Sequence, residues 1–200
     1  MKTQSPTVCG IDLAGASHRP SGVCVLKGDE ASTRLLHSDD EILGVIQKER
    51  PLLVAIDAPL SLPPGRRSIH SRNGHHFRPC DLELRRRKIP FFPITLGPMR
   101  RLTDRGIALS RKIAALGFWV LEVYPGGAQD VWKIPRARRD LDGLREGLER
   151  MGLRGFERTC TDHELDAATA ALVARLHLEG RTEVLGSLSS GAIIMPRPSK

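Results

Sequence analysis

The sequence has no run of about eighteen apolar residues, the least that spans a membrane as a helix. Its opening stretch, MKTQSPTV, lacks the apolar core of an export signal, so a cytoplasmic location is expected. Cysteine is scarce: Cys9, Cys24, Cys80 and Cys160 are scattered without Cys-x-x-Cys spacing, which points to thiols in a reducing compartment. Cys9 and Cys24 are candidates to face each other across a hairpin, with no bond expected. Aromatic residues make up only 4% of the chain, and Phe77, Phe91 and Phe92 alone lie near its positive charge, a poor supply for a base-stacking platform. Internal repeats and low-complexity segments are absent as well. With 200 residues, 40% of them apolar, the chain suits one core and one domain over residues 1–200.

Charge is abundant and uneven. Between Arg66 and Arg105 stand eleven Lys/Arg against three acids, so this segment carries the whole net charge of +8. His70, His75 and His76 fall in the same stretch. A localised positive segment suits a polyanionic partner, although basic surfaces often serve only solubility. A zinc site from His70, His75, His76 and Cys80 fits no common ligand spacing.

Residues 7–12, 21–27 and 32–37 read as three short strands joined by turns. Ser38 and Glu41 form a capping box ahead of a helix carrying Ile42, Val45 and Ile46. PLLVAID at 51–57 is a continuous apolar run, as in a strand covered on both faces. Residues 58–80, rich in Pro, Gly, Arg and His, form a long irregular excursion, with a short basic helix expected over 81–88. Leu102, Leu109, Ile113 and Leu116 share a helical face, with Thr103 a cap candidate and Gly117 the stop; FWVLEV at 118–123 reads as the next buried strand. Leu141, Leu144, Leu148 and Met151 mark an amphipathic helix. TDHE at 161–164 is a second capping box, opening a helix whose Leu165, Ala168, Thr169, Leu172 and Leu176 face the core. GAIIMP near the end is an edge-strand candidate. Three meandering strands followed by crossovers predict an α/β fold: a mixed five-stranded sheet flanked by helices, with a basic insertion at 58–101.

Three acids end apolar runs: Asp12 in VCGIDLAG, Asp57 in LVAIDAPL and Glu122 in WVLEVYPG. A carboxylate in a strand costs several kcal/mol unless paired. The Pro or Gly that follows each leaves the acid at the rim, where open α/β sheets bind ligands. Converging carboxylates repel unless a divalent cation neutralises them, and Mg²⁺ or Mn²⁺ prefers such oxygen ligands. Asp162 and Asp166 are four apart at the start of the late helix, with His163 beside them. An acid such as Asp162 in a first helical turn also favours the helix dipole without any metal.

GIDLAG, AIDAPLSLP, RPCDLELR, LEVYPG and HELDAATAAL, in that order, resemble the predicted nucleases of domain of unknown function 429, over roughly residues 8–180. GIDLAG and HELDAATAAL are also similar to the first motif and the C-terminal acidic helix of the RuvC resolvases. The resemblance implies an RNase H-like fold, with catalytic and metal-holding roles for Asp12, Asp57, Asp166 and Asp162. Glu122 matches the family's own motif and no standard position of the superfamily. The implied chemistry is phosphodiester hydrolysis of DNA or RNA with two Mg²⁺ or Mn²⁺ ions. Arg78, Arg85, Arg86, Arg87, Lys88, Arg100 and Arg101 would hold the backbone. Arg78 and Asp81 are candidates for a phosphate clamp and an outer acid, or for a local ion pair. Non-catalytic nucleic-acid binding is the rival reading. GIDLAG also resembles the phosphate-binding opening of actin-like ATPases and sugar kinases, which need two such domains; YPGG at 124–127 supports that weakly. Oligomeric state is open, a homodimer included.

Overall fold

The computed structural model describes residues 6–16, 18–72 and 74–198; the leader reading of MKTQSPTV therefore lies mostly outside the described residues. The elements in order are β1 (Val8–Asp12), β2 (Ser21–Lys27), β3 (Glu30–Leu36), α1 (Asp39–Glu49), β4 (Leu53–Asp57), α2 (Pro79–Arg86), α3 (Gly97–Ala115), β5 (Trp119–Glu122), α4 (Pro125–Trp132), α5 (Leu141–Arg150), α6 (Asp162–Leu178), β6 (Thr182–Ser187) and β7 (Gly191–Pro196). The main sheet has the order β3-β2-β1-β4-β5. β1, β2 and β3 form an antiparallel meander, whereas β4 runs parallel to β1 and β5 parallel to β4. A mixed five-stranded sheet in this order, with helices on both faces, is the RNase H-like fold expected above.

Alternation along the strands assigns each face its helices. Cys9, Ile11, Val54 and Ile56 meet Ile42 and Ile46 of α1 and Leu109 and Ile113 of α3. On the other face, Val8, Cys24 and Ala55 meet Ala167, Ala171 and Val173 of α6, with α5 adding Leu144 and Leu148. Cys9 and Cys24 thus belong to opposite faces, and all four cysteines are free and buried.

Helix α6 lies unusually close to the sheet. A Cβ on Gly10 would stand 2.1 Å from the Ala167 carbonyl oxygen, and one on Gly22 would stand 1.9 Å from that of His163. Only glycine admits the helix at this depth. The alanines of DAATAALVA complete the contact, and α6 is buried from Ala167 to Ala174. A helix apolar all round is a core element, so its start is held firmly over the sheet.

Several boundaries differ from the sequence expectation. β5 is an edge strand, with Trp119 76% exposed. Leu116 falls just beyond α3 and is exposed. Thr103 is no cap: α3 begins at Gly97, and the buried Thr103 hydroxyl donates to the Met99 carbonyl. α2 begins at Pro79, whose missing N–H costs nothing in a first turn. GAIIMP is β7, paired with the unanticipated β6 in a separate two-stranded sheet that packs on α2. The 58–80 excursion is ordered by Arg66, a buried side chain that donates to the carbonyls of Ser68, Ile69, Ser71 and His75. Among the described residues no helix is long and apolar enough to cross a membrane.

Candidate active site

Asp12 and Asp57 are register partners at the carboxyl ends of the adjacent parallel strands β1 and β4. Register partners in parallel strands point to the same face, here the one covered by α6. The close approach at Gly10 and Gly22 brings the first turns of α6 over them. Thr161 and Glu164 close the expected capping box and fix where that helix starts. Asp12, Asp57, Asp162, His163 and Asp166 line one cavity of about 370 Å³.

His163 Nδ1 donates to Asp12 Oδ2 at 2.5 Å. Asp166 Oδ1 accepts from Gln129 Nε2 at 2.7 Å, and Asp162 accepts from the His163 backbone N–H at 3.0 Å. Burial pushes the Asp57 carboxyl well above the usual carboxylate range, and the charges of Asp12 and Asp166 push it further. Burial, then the charge of Asp12, pushes Asp166 up to about 7, against the pull of Gln129. The bond to Asp12 raises His163. These acids repel, as their convergence predicts. Among the described residues no group of three or more Asp, Glu, His or Cys stands ready to hold a metal. The donor set, all carboxylate oxygen with surplus negative charge, nevertheless matches what Mg²⁺ and Mn²⁺ take.

Glu122 lines the same cavity, and its charge also helps to raise Asp57, but its carboxyl is engaged elsewhere. It sits opposite Ile56, one row short of Asp57, and therefore leaves the sheet on the other face. There its Oε2 accepts from the Leu60 N–H and from Arg78 Nη1, both at 2.7 Å. Burial pushes its carboxyl up, and Arg78 pulls it back. Arg78 forms the local ion pair: its side chain is 2% exposed and is shared between Glu122 and Asp81. Asp81 also accepts from the Arg78 backbone N–H, so the pair caps α2 and pins the insertion to the end of β5.

The other basic candidates divide. Arg86 pairs with Glu83, and Arg87 grips Glu183 with both terminal nitrogens. Arg100 donates to the Thr95 carbonyl at 2.8 Å. Arg105, counted in the same charged segment, braces the loop after β1 through the Ala14 carbonyl and Asp39. Arg85 lies over the Phe77 ring, 5.0 Å from its centroid. Lys88 and Arg101 are exposed, with no ion pair among the described residues. Of the zinc candidates, His70 pairs with Asp104, His76 bonds Thr95, and Cys80 is buried against β6 and β7.

Sequence reasoning missed Gln129, Tyr124, Arg136 and Arg138, all of which line the cavity. They come from α4 and the loop after it. Glycines at 126 and 127 disguise that helix, although Pro125 is a fitting first residue. The run PRARR at 135–139 was the available signal for the two arginines. Arg136 is held by Asp130 and bonds the Tyr124 hydroxyl at 3.1 Å.

An acidic group at the carboxyl ends of the two central parallel strands defines the class: an RNase H-like domain with a carboxylate-lined cavity. The model of the family described as protein of unknown function (DUF429) matches residues 10–188, and the chain belongs to that family. Among solved structures it is similar to Thermus thermophilus RuvC in complex with a Holliday junction substrate, at 16% identity and a TM-score of 0.48, over 94% of this chain and 99% of that one. A second structure of Thermus thermophilus RuvC is similar at 18% identity and a TM-score of 0.44, over 93% of this chain and 99% of that one. Among curated proteins nothing matches the sequence significantly.

Proposed function

We propose that the chain is a divalent-cation-dependent phosphodiester hydrolase acting on nucleic acid. The observation that carries this reading is the convergence of Asp12, Asp57 and Asp166 on one cavity, where burial and mutual repulsion raise Asp57 and Asp166. Asp12, Asp57 and Asp166 would hold Mg²⁺ or Mn²⁺, with Asp162 beside them. When bound there, such ions supply an activated water and stabilise the leaving oxygen. Asp12 and Asp57 offer their oxygens from one register row, so neither depends on a mobile loop for its position. Gln129 orients Asp166 and His163 holds Asp12, the two carboxylates that would serve a cation. Arg136 and Arg138 bring positive charge to the same cavity for a phosphate. Glu122, with Arg78 and Asp81, acts as an anchor for the cavity wall.

Non-catalytic binding is favoured by one observation: Asp12 and Asp166 are already satisfied by His163 and Gln129. Cleavage decides between the two readings. Single-stranded, duplex and branched DNA and RNA are incubated with Mg²⁺ or Mn²⁺, wild type beside Asp12→Asn and Asp57→Asn. The hydrolase reading expects cation-dependent cleavage that EDTA and each substitution abolish while binding survives. Cleavage that persists in Asp12→Asn, or binding with no cleavage under any of these conditions, refutes it.

A further inference from the structure

The acidic cavity has a second wall that phosphodiester chemistry alone does not require. Phe91, Phe92, Ile94, Met99 and Leu102, all from the end of the insertion and the start of α3, line it alongside the carboxylates. A surface that only tracks a phosphate backbone needs cations and polar groups, not a run of apolar side chains. Phe92 is 65% exposed, although burying a phenylalanine is worth about 1.5–3 kcal/mol. Phe91 is braced edge-on by Phe77, their ring centroids 6.2 Å apart. Arg138, exposed at the same cavity, has no ion pair among the described residues. The volume of about 370 Å³ falls in the range of small-ligand pockets, about 300–1,000 Å³.

We infer that this cavity receives one unstacked nucleotide of a nucleic-acid strand, its base against Phe91, Phe92 and Met99 and its phosphate facing Arg138. The inference rests on the hydrolase reading for why a phosphodiester comes to the carboxylates, and it adds which part of the strand enters. Enzymes that take a nucleotide out of the stack pay a few kcal/mol for it, least in single strands and at mismatches. The substrate is therefore a single strand, a frayed end or a mispaired position, and an intact duplex is a poor one. The scarcity of aromatics does not oppose this, because two of the five phenylalanines stand at the one place where a base would stack.

The test measures binding of the full chain in EDTA, where no cleavage competes. The probes are oligothymidylate of about six residues, within the site sizes of single-strand binders, and an abasic phosphodiester of the same length and charge. Phe92→Ala should weaken oligothymidylate binding by about five- to 150-fold, the span of one base–aromatic stack, and leave the abasic strand unaffected. Phe92→Tyr should restore the affinity. Because Phe92 is exposed, its replacement spares the fold, and a thermal melt checks this. Equal loss on both probes, or loss on neither, overturns the inference. So does a blunt duplex bound as tightly as the strand, or a thymidine monophosphate that displaces the strand at matching concentration, which would make the ligand a free nucleotide. Base-dependent binding without cleavage under any cation leaves the pocket standing and removes the hydrolase reading; cleavage of abasic and normal strands alike does the reverse.

Discussion

Asp166→Asn separates the charge of the site from its packing. Asparagine keeps the shape and an oxygen that can still accept from Gln129 Nε2. In the folded chain the Asp166 carboxyl is pushed up to about 7, whereas in an unfolded chain it titrates near about 3.9. Between those values the folded state holds a proton that the unfolded state has released. Stability is therefore lost as pH rises from about 4 to about 7, and the whole penalty is present above that window. Taken at face value the separation amounts to about 4 kcal/mol. Asp166 is only half-buried, so solvent screening brings the figure to about 2 kcal/mol. For a domain of this size about 2 kcal/mol moves Tm by about 4–8 °C. The assay is thermal unfolding across pH 4 to 8 in EDTA. Asp166→Asn should match wild type near pH 4 and melt higher above pH 7. Millimolar Mg²⁺ should then raise wild-type Tm above pH 7 and raise the variant less, because a ligand bound only to the folded state stabilises in proportion to its affinity. Parallel curves for the two proteins, or a variant weakened equally at every pH, would refute the claim that these carboxylates repel one another.

Other expectations follow from the same geometry. Gly22→Ala and Gly10→Ala drive a methyl into the backbone of α6 and should each destabilise by at least about 3 kcal/mol in urea titrations, the upper range for overpacking. Arg78→Met leaves Glu122 and Asp81 buried without their cation and should cost about 3–5 kcal/mol in the same assay, with part recovered by adding Glu122→Gln. Arg86 and Arg87 are already paired, so replacing Arg85, Arg86 and Arg87 by Ala should flatten the slope of log K against log [salt] by about one. Arg101→Ala with Arg138→Ala should flatten it by about two, since both side chains are exposed and unpaired among the described residues. Equal effects from the two sets would show that the internal ion pairs give way to phosphate.

The strand-end acids were legible because each ends an apolar run at a Pro or Gly, a local pattern. What set Glu122 apart from Asp57 was not local. The two strands are joined through a long insertion and α3, and only their register, Ile56 opposite Glu122, decides which face the acid takes. The capping box of α6 and its five core positions could be read from spacing, whereas its burial on every side could not. The alanines that let it sink onto Gly10 and Gly22 are equally good surface helix formers. The largest misreading concerned arginine. Arg66 and Arg78 counted as positive surface in the composition, yet both are buried, one spent on loop carbonyls and the other on two carboxylates. Composition sees a charge, and only the fold shows whether water does.

The depth at which α6 sits also has a consequence for the order of assembly. The strands that carry Asp12 and Asp57 leave the ribosome long before the helix that covers them. Until residues 162–178 emerge, the shallow floor of Gly10, Gly22 and Ala55 on that face lacks the helix that packs directly on it. A nascent chain stalled near residue 160 would thus be an adhesive intermediate with two neighbouring aspartates still in water. Their mutual repulsion strengthens when the last large helix arrives, bringing burial and Asp166. The seal that completes the hydrophobic core and the step that concentrates the negative charge are one event, late in synthesis, when a divalent cation would help the chain close.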